Sequence, residues 1–116
     1  MKITILSLFL SIGLFSLSQN YDDVAVIVND NSQTSLSIGN YFQQARNIPD
    51  INIIHVTAPT TEVIDSLEFE QIRAQIETHL ITNNLVDAIN YLVTTSDIPL
   101  KVGSGCANTT DPIPLC

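Results

Sequence analysis

Basic side chains are scarce. Four Lys and Arg stand against twelve Asp and Glu, a formal charge of −8. That balance offers no basic patch for nucleic acid or an anionic membrane surface, so neither is an expected partner. Cysteine is also scarce, and two residues cannot staple a disulfide-dense miniprotein. Four glycines and five prolines in 116 residues exclude collagen-like and linker-like chains. Charged residues make up only 14% and apolar ones 45%, which excludes a disordered acidic tail. What remains is the composition of one small globular domain.

Residues 1–18 read as a secretory signal peptide. Met1-Lys2 supplies the charged start, and Ile3 to Phe15 is apolar apart from Thr4, Ser7, Ser11 and Gly13. Ser16-Leu17-Ser18 places small residues where a signal peptidase reads. The run is shorter than the roughly 20 apolar residues of a membrane span. The expectation is therefore a secreted protein, extracellular or periplasmic, with no stable membrane anchor after cleavage. The mature chain would start at Gln19, with Arg46, Arg73 and Lys101 as its basic side chains.

Residues 19–102 read as an α/β domain. Val24 to Val28 is a continuous β-rich apolar run, the pattern of a strand buried on both faces of a parallel sheet. A helix is expected over Ser35 to Arg46, with Ile38, Tyr41, Phe42 and Ala45 as its stripe and Thr34 or Ser35 as its cap. Ile51 to Val56 reads as a second strand, and Ala58 to Ile64 as a loop. Asp65 and Glu68 have capping-box spacing, and Phe69, Ile72, Ile76 and Leu80 form the stripe of a helix ending near Asn83-Asn84. Ala88 to Thr95 reads as the third strand. The alternation β-α-β-α-β predicts a three-stranded parallel sheet, strand order 2-1-3, with one helix on each face.

Residues 103–116 read as an irregular tail. It carries Cys106 and Cys116, a possible disulfide pair in an exported protein, and a glycosylation triplet at Asn108.

Several stretches together carry a resemblance. They are Ser35 to Phe42, Ala45-Arg46-Asn47-Ile48-Pro49, Asn52-Ile53-Ile54, Phe69 to Arg73, Tyr91 to Thr95 and Ile98 to Val102. The ordered set resembles the amino-terminal part of a numbered family of uncharacterised secreted bacterial proteins. The resemblance covers residues 24–102. It implies that this domain is the start of a longer, doubly wound one, and it brings no catalytic residues. One departure stands out: Ser96-Asp97 occupies the place of a Lys-Gly pair common in that family. A weaker similarity is to the front half of gingipain-like cysteine peptidases, whose catalytic His and Cys would lie downstream. The turn Ser96-Asp97-Ile98-Pro99 lacks their histidine motif.

Open α/β sheets bind ligands beyond the carboxyl ends of their strands. The candidate residues there are Asp30, Asn31, Ser96 and Asp97. Two carboxylates with amide and hydroxyl oxygens suit a hard cation such as Ca²⁺ or Mg²⁺. The same residues also serve as solvated turns and caps. No glycine follows the first strand, so both phosphate-cradling fingerprints are missing and no cofactor is expected. Gly39 lies inside the first helix, where it would permit close packing on the sheet. His55 is placed within the second strand and His79 at the margin of the helix stripe; both read as packed or surface residues. These residues define no reaction. The open readings are a protein of unknown function, the front of a hydrolase, and a small secreted binding module that recruits a partner through its loops or an edge strand.

Overall fold

A computed structural model describes residues 19–103. Residues 1–18, read as a signal peptide, and Cys106 and Cys116, read as a possible disulfide, lie outside the described residues. Strand β1 (Val24–Asn29) is followed by helix α1 (Gln33–Arg46), a 3₁₀ turn (Asp50–Asn52) and strand β2 (Ile53–Val56). Then come β3 (Val63–Ile64), helix α2 (Ser66–Thr82), β4 (Tyr91–Thr94) and β5 (Lys101–Val102).

The main sheet is parallel with the order β2-β1-β4. The sequence reading of an α/β fold with its apolar strand at the centre therefore holds. All six residues of β1 are buried, because strands flank both its edges and each of its faces packs against a helix. Ala25, Ile27, Ile54 and Val56 meet Ile72, Ile76 and Leu80 of α2 on one face. Val24, Val26 and Val28 meet Leu36 and Phe42 of α1 on the other. Period-two side chains thus divide one strand between two cores.

Several expectations are corrected. Helix α1 begins at Gln33, and its cap is Ser32, whose Oγ accepts the Ser35 N–H at 3.0 Å. Neither Thr34 nor Ser35 caps it, because the chain turns tightly after β1, with Ser32 N–H bonding Asn29 O at 3.0 Å. The buried face of α1 is also rotated from the expected stripe. Ser35 and Gly39 are buried, while Ile38, Tyr41 and Ala45 are exposed. A Cβ on Gly39 would lie 2.3 Å from Val28 Cγ1, so the smallest residues of the helix face the sheet. Finally, the loop expected over Ala58 to Ile64 contains β3, which pairs in parallel with β5 as a separate two-stranded sheet. Two residues are too short for a periodicity signal, and the pairing is fixed by tertiary closure instead.

Helix α2 follows its sequence signature closely. Asp65 accepts the Glu68 N–H at 2.8 Å, and Glu68 returns a bond to the Asp65 N–H at 3.0 Å. Phe69, expected in the stripe, is exposed, and the packed stripe begins at Ile72. The third strand of the main sheet is shorter than expected, because Leu85 to Ile89 forms hydrogen-bonded turns before it.

Candidate functional site at the carboxyl ends of the strands

The chain leaves β1 toward β2 on one side and later returns to β4 on the other. The carboxyl ends of β1 and β4 therefore form the topological switch point, where open α/β sheets bind their ligands. The loops there are Asp30–Ser32 and Thr95–Asp97.

Asn29 holds this end together. It is the last residue of β1 and is fully buried. Its side-chain amide donates to Asp97 O at 2.8 Å and to Ala58 O at 3.1 Å. Its Oδ1 accepts from Asn31 N–H at 3.1 Å and Ala58 N–H at 3.2 Å. One amide thus joins the loops after β1, β2 and β4. Burying it unbonded would be costly, and bonded it selects one arrangement.

A second buried chain runs beside it. Asn29 N–H donates to Ser35 Oγ at 2.8 Å, and Thr95 Oγ1 donates to Ile27 O at 3.0 Å. Ser35 Oγ and Thr95 Oγ1 are 2.5 Å apart. Each hydroxyl has one proton. Thr95 spends its own on Ile27, so Ser35 is the donor between them. Among the described residues no buried side-chain polar atom lacks a partner.

The four candidate residues gather at this end, but they do not share a cradle. Asp97 Oδ2 accepts from Ser32 Oγ at 2.5 Å. Asp30 Oδ1 instead lies 2.6 Å from His55 Nδ1. Asn31 donates its amide to Ala58 O at 3.0 Å. Ser96 is exposed on the turn. The two carboxylates are held by different elements, and no group of three or more His, Cys, Asp or Glu is placed to hold a metal among the described residues. The geometry favours turns and caps over a Ca²⁺ or Mg²⁺ site.

Asp97 also sits where a ligand phosphate often does. Its carboxylate reaches the cap residue of α1, the positive end of the helix dipole. Its backbone is left-handed, φ 59°. Asn and Asp tolerate that region better than other side chains, and glycine tolerates it best.

Sequence reasoning missed the Asp30–His55 pair. A carboxylate accepts, so His55 donates from Nδ1, and the neutral ring then keeps Nε2 as an acceptor. Both side chains are about half exposed, which makes the pair a weak contributor to stability. It also missed Asn29 as the hub. The available signal was an amide directly abutting a strand buried on both faces.

The outer edge of β2 carries a shallow groove of about 510 Å³, lined by His55, Gln75, Thr78 and His79 among others. Gln75 accepts the Thr57 N–H at 2.8 Å and donates to Thr57 O at 3.2 Å. His79 Nε2 lies 2.8 Å from Ile51 O, which can only accept. These α2 side chains bond the backbone on either side of β2.

The fold and this end of it define a parallel α/β protein with a switch point tied by internal hydrogen bonds. Comparisons with family models, curated proteins and solved structures return no match to the chain. Among the described residues no helix is long and apolar enough to cross a membrane.

Proposed function

We propose that the chain is an exported α/β protein of the uncharacterised secreted bacterial family that it resembles, and that it binds a ligand at the switch point. The left-handed backbone at Asp97 carries this reading. The resembled family commonly has glycine at that place, and a left-handed turn is where glycine is least strained. Ser96-Asp97 is then a substitution within a retained turn, with the Asp97 carboxylate gaining a bond to Ser32. The peptidase reading places its histidine and cysteine downstream of this domain.

Two measurements test the proposal. Export predicts a processed product in the medium or periplasm whose first residue is Gln19, read by amino-terminal sequencing. Retention of Met1 on the cell-associated protein would oppose it. Binding is tested by backbone amide chemical shifts against small metabolites, short peptides and Ca²⁺. Shifts confined to Asp30–Ser32 and Thr95–Asp97 are expected. Shifts centred on the β2–α2 groove would move the site there, and no response to any probe would remove the reading.

A further inference from the structure

We propose that, once residues 1–18 are removed, Gln19 cyclises to pyroglutamate on its own domain, with the Tyr21 hydroxyl as the catalytic group. The proposal rests on the export reading above, which makes Gln19 the first residue of the mature chain.

A chain terminus is loose unless something ties it down. The segment before β1 is tied. Val24 N–H bonds Tyr21 O at 3.1 Å. Asn20 Nδ2 donates to Asp22 Oδ2 at 2.7 Å, and Asp22 N–H donates back to Asn20 Oδ1 at 3.1 Å. The Tyr21 ring packs against the core formed by Val24, Val26, Val28 and Ile48. The guanidinium of Arg46, the last residue of α1, lies 5.4 Å from the centre of that ring, a cation–π contact.

The protons at this contact have one arrangement. Arg46 Nη1 lies 3.0 Å from the Tyr21 hydroxyl oxygen, and a guanidinium can only donate. The single hydroxyl proton of Tyr21 therefore goes to Gln19 Oε1, 2.8 Å away. Hydrogen bonds in such a chain polarise one another. The relay from Arg46 through Tyr21 thus ends on the carbonyl oxygen of the Gln19 carboxamide.

That oxygen is where charge develops when the carboxamide is attacked. Before cleavage Gln19 N is a peptide nitrogen, its lone pair delocalised, and it is no nucleophile. Cleavage after Ser18 makes it an amine. The amine nitrogen bonds Cδ and closes a five-membered ring. The carbonyl electron pair moves onto Oε1, where the Tyr21 hydroxyl stabilises it. The C=O bond then re-forms and the Cδ–Nε2 bond breaks. The one proton lost by the amine leaves with Nε2 as ammonia. Nothing is oxidised or reduced, and no co-reactant enters. Tyr21 touches the reacting group; Arg46 acts through Tyr21 and is a positioning residue. The product has no terminal amine, so an aminopeptidase that grips one has no starting point on the exported chain.

The test follows the full-length chain through export after a short pulse of labelled synthesis, reading its amino-terminal peptide by mass spectrometry over time. A peptide starting at Gln19 is expected to convert to one lighter by a single ammonia. The converted end gives no amino-terminal sequence until pyroglutamyl peptidase removes the ring, and the sequence then starts at Asn20. Tyr21→Phe keeps the ring and its packing but not the hydroxyl. It is expected to slow conversion about threefold to tenfold, the worth of one hydrogen bond. Arg46→Ala is expected to slow conversion as well, and Arg46→Lys, which keeps a cationic donor, to restore part of the rate. Matching circular dichroism shows that each variant folds. A Gln19 that keeps its ammonia overturns the proposal and leaves export standing. Retained Met1 defeats the export reading and this proposal with it. Conversion as fast in Tyr21→Phe as in the parent chain means unassisted closure or a cyclase of the host, and overturns the proposal too.

Discussion

Gly39 shows how one missing carbon places a helix. Its backbone approaches Val28 so closely that an added Cβ would meet Cγ1 at 2.3 Å. Val28 is buried and β-branched, so it has little freedom to move aside. Gly39→Ala should gain up to about 1 kcal/mol of helix propensity. Overpacking should cost about 1–3 kcal/mol and outweigh that gain. The expected outcome is a lower urea midpoint, partly restored by Val28→Ala in the same chain. An unchanged or raised midpoint would mean that α1 shifts freely on the sheet. The neighbouring Ser35 belongs to the same close contact, since only a small side chain there can bridge Asn29 and Thr95.

Among the elements, α2 has its start written most explicitly. Asp65 and Glu68 satisfy each other's backbone N–H groups, and no tertiary partner is needed for that. Asp65→Ala should cost about 1 kcal/mol, within the usual range for a lost cap. The check is thermal unfolding beside Asp65→Ser, which should retain most of the stability because serine also caps. Farther along, Arg73 bridges Glu77 at 2.8 Å and Glu70 at 3.3 Å. The hydrogen bond to Glu77 and the charge of Glu70 raise its guanidinium above the usual value. Arg73 is ionised with or without that shift, and water screens the exposed pair, so it is not what holds α2 to the sheet. That work falls to Ile72, Ile76 and Leu80.

For the whole molecule the dominant electrostatic fact is the surplus of acid. Carboxylates outnumber basic groups threefold, and Asp30, Asp50, Asp65, Glu70 and Glu77 are all at the surface. Compact folding concentrates that charge, so self-repulsion opposes it. Raising the ionic strength from about 0.01 to 0.15 M shortens the screening length from about 30 to 8 Å. Stability should therefore rise with NaCl over that range, read as an increase in unfolding temperature. A fall would mean that ion pairs such as Arg73–Glu77 and Lys101–Glu62 outweigh the repulsion.

Much of the fold was legible along the chain. Five apolar residues in a row, Val24 to Val28, place β1 at the centre, because only a strand covered on both faces tolerates that run. The capping spacing places α2, and the alternation of strands and helices implies right-handed parallel crossovers. These signals are local, and the sequence carries them without reference to any other segment. The face of α1 was legible only in part: Phe42 and the close approach at Gly39 were expected, but Ser35, which carries no apolar signal, is buried in place of Ile38 and Tyr41. The short β3–β5 pair and the Asp30–His55 contact were not legible either, since each joins segments distant in the chain. The Asn29 hub bonds the loops after β2 and β4 only once both have been folded beside β1. Composition, pattern and caps decided which elements form and in what order they stack. Tertiary structure decided which polar groups meet at the carboxyl end, because hydrogen bonds between distant loops depend on closure rather than on any local period.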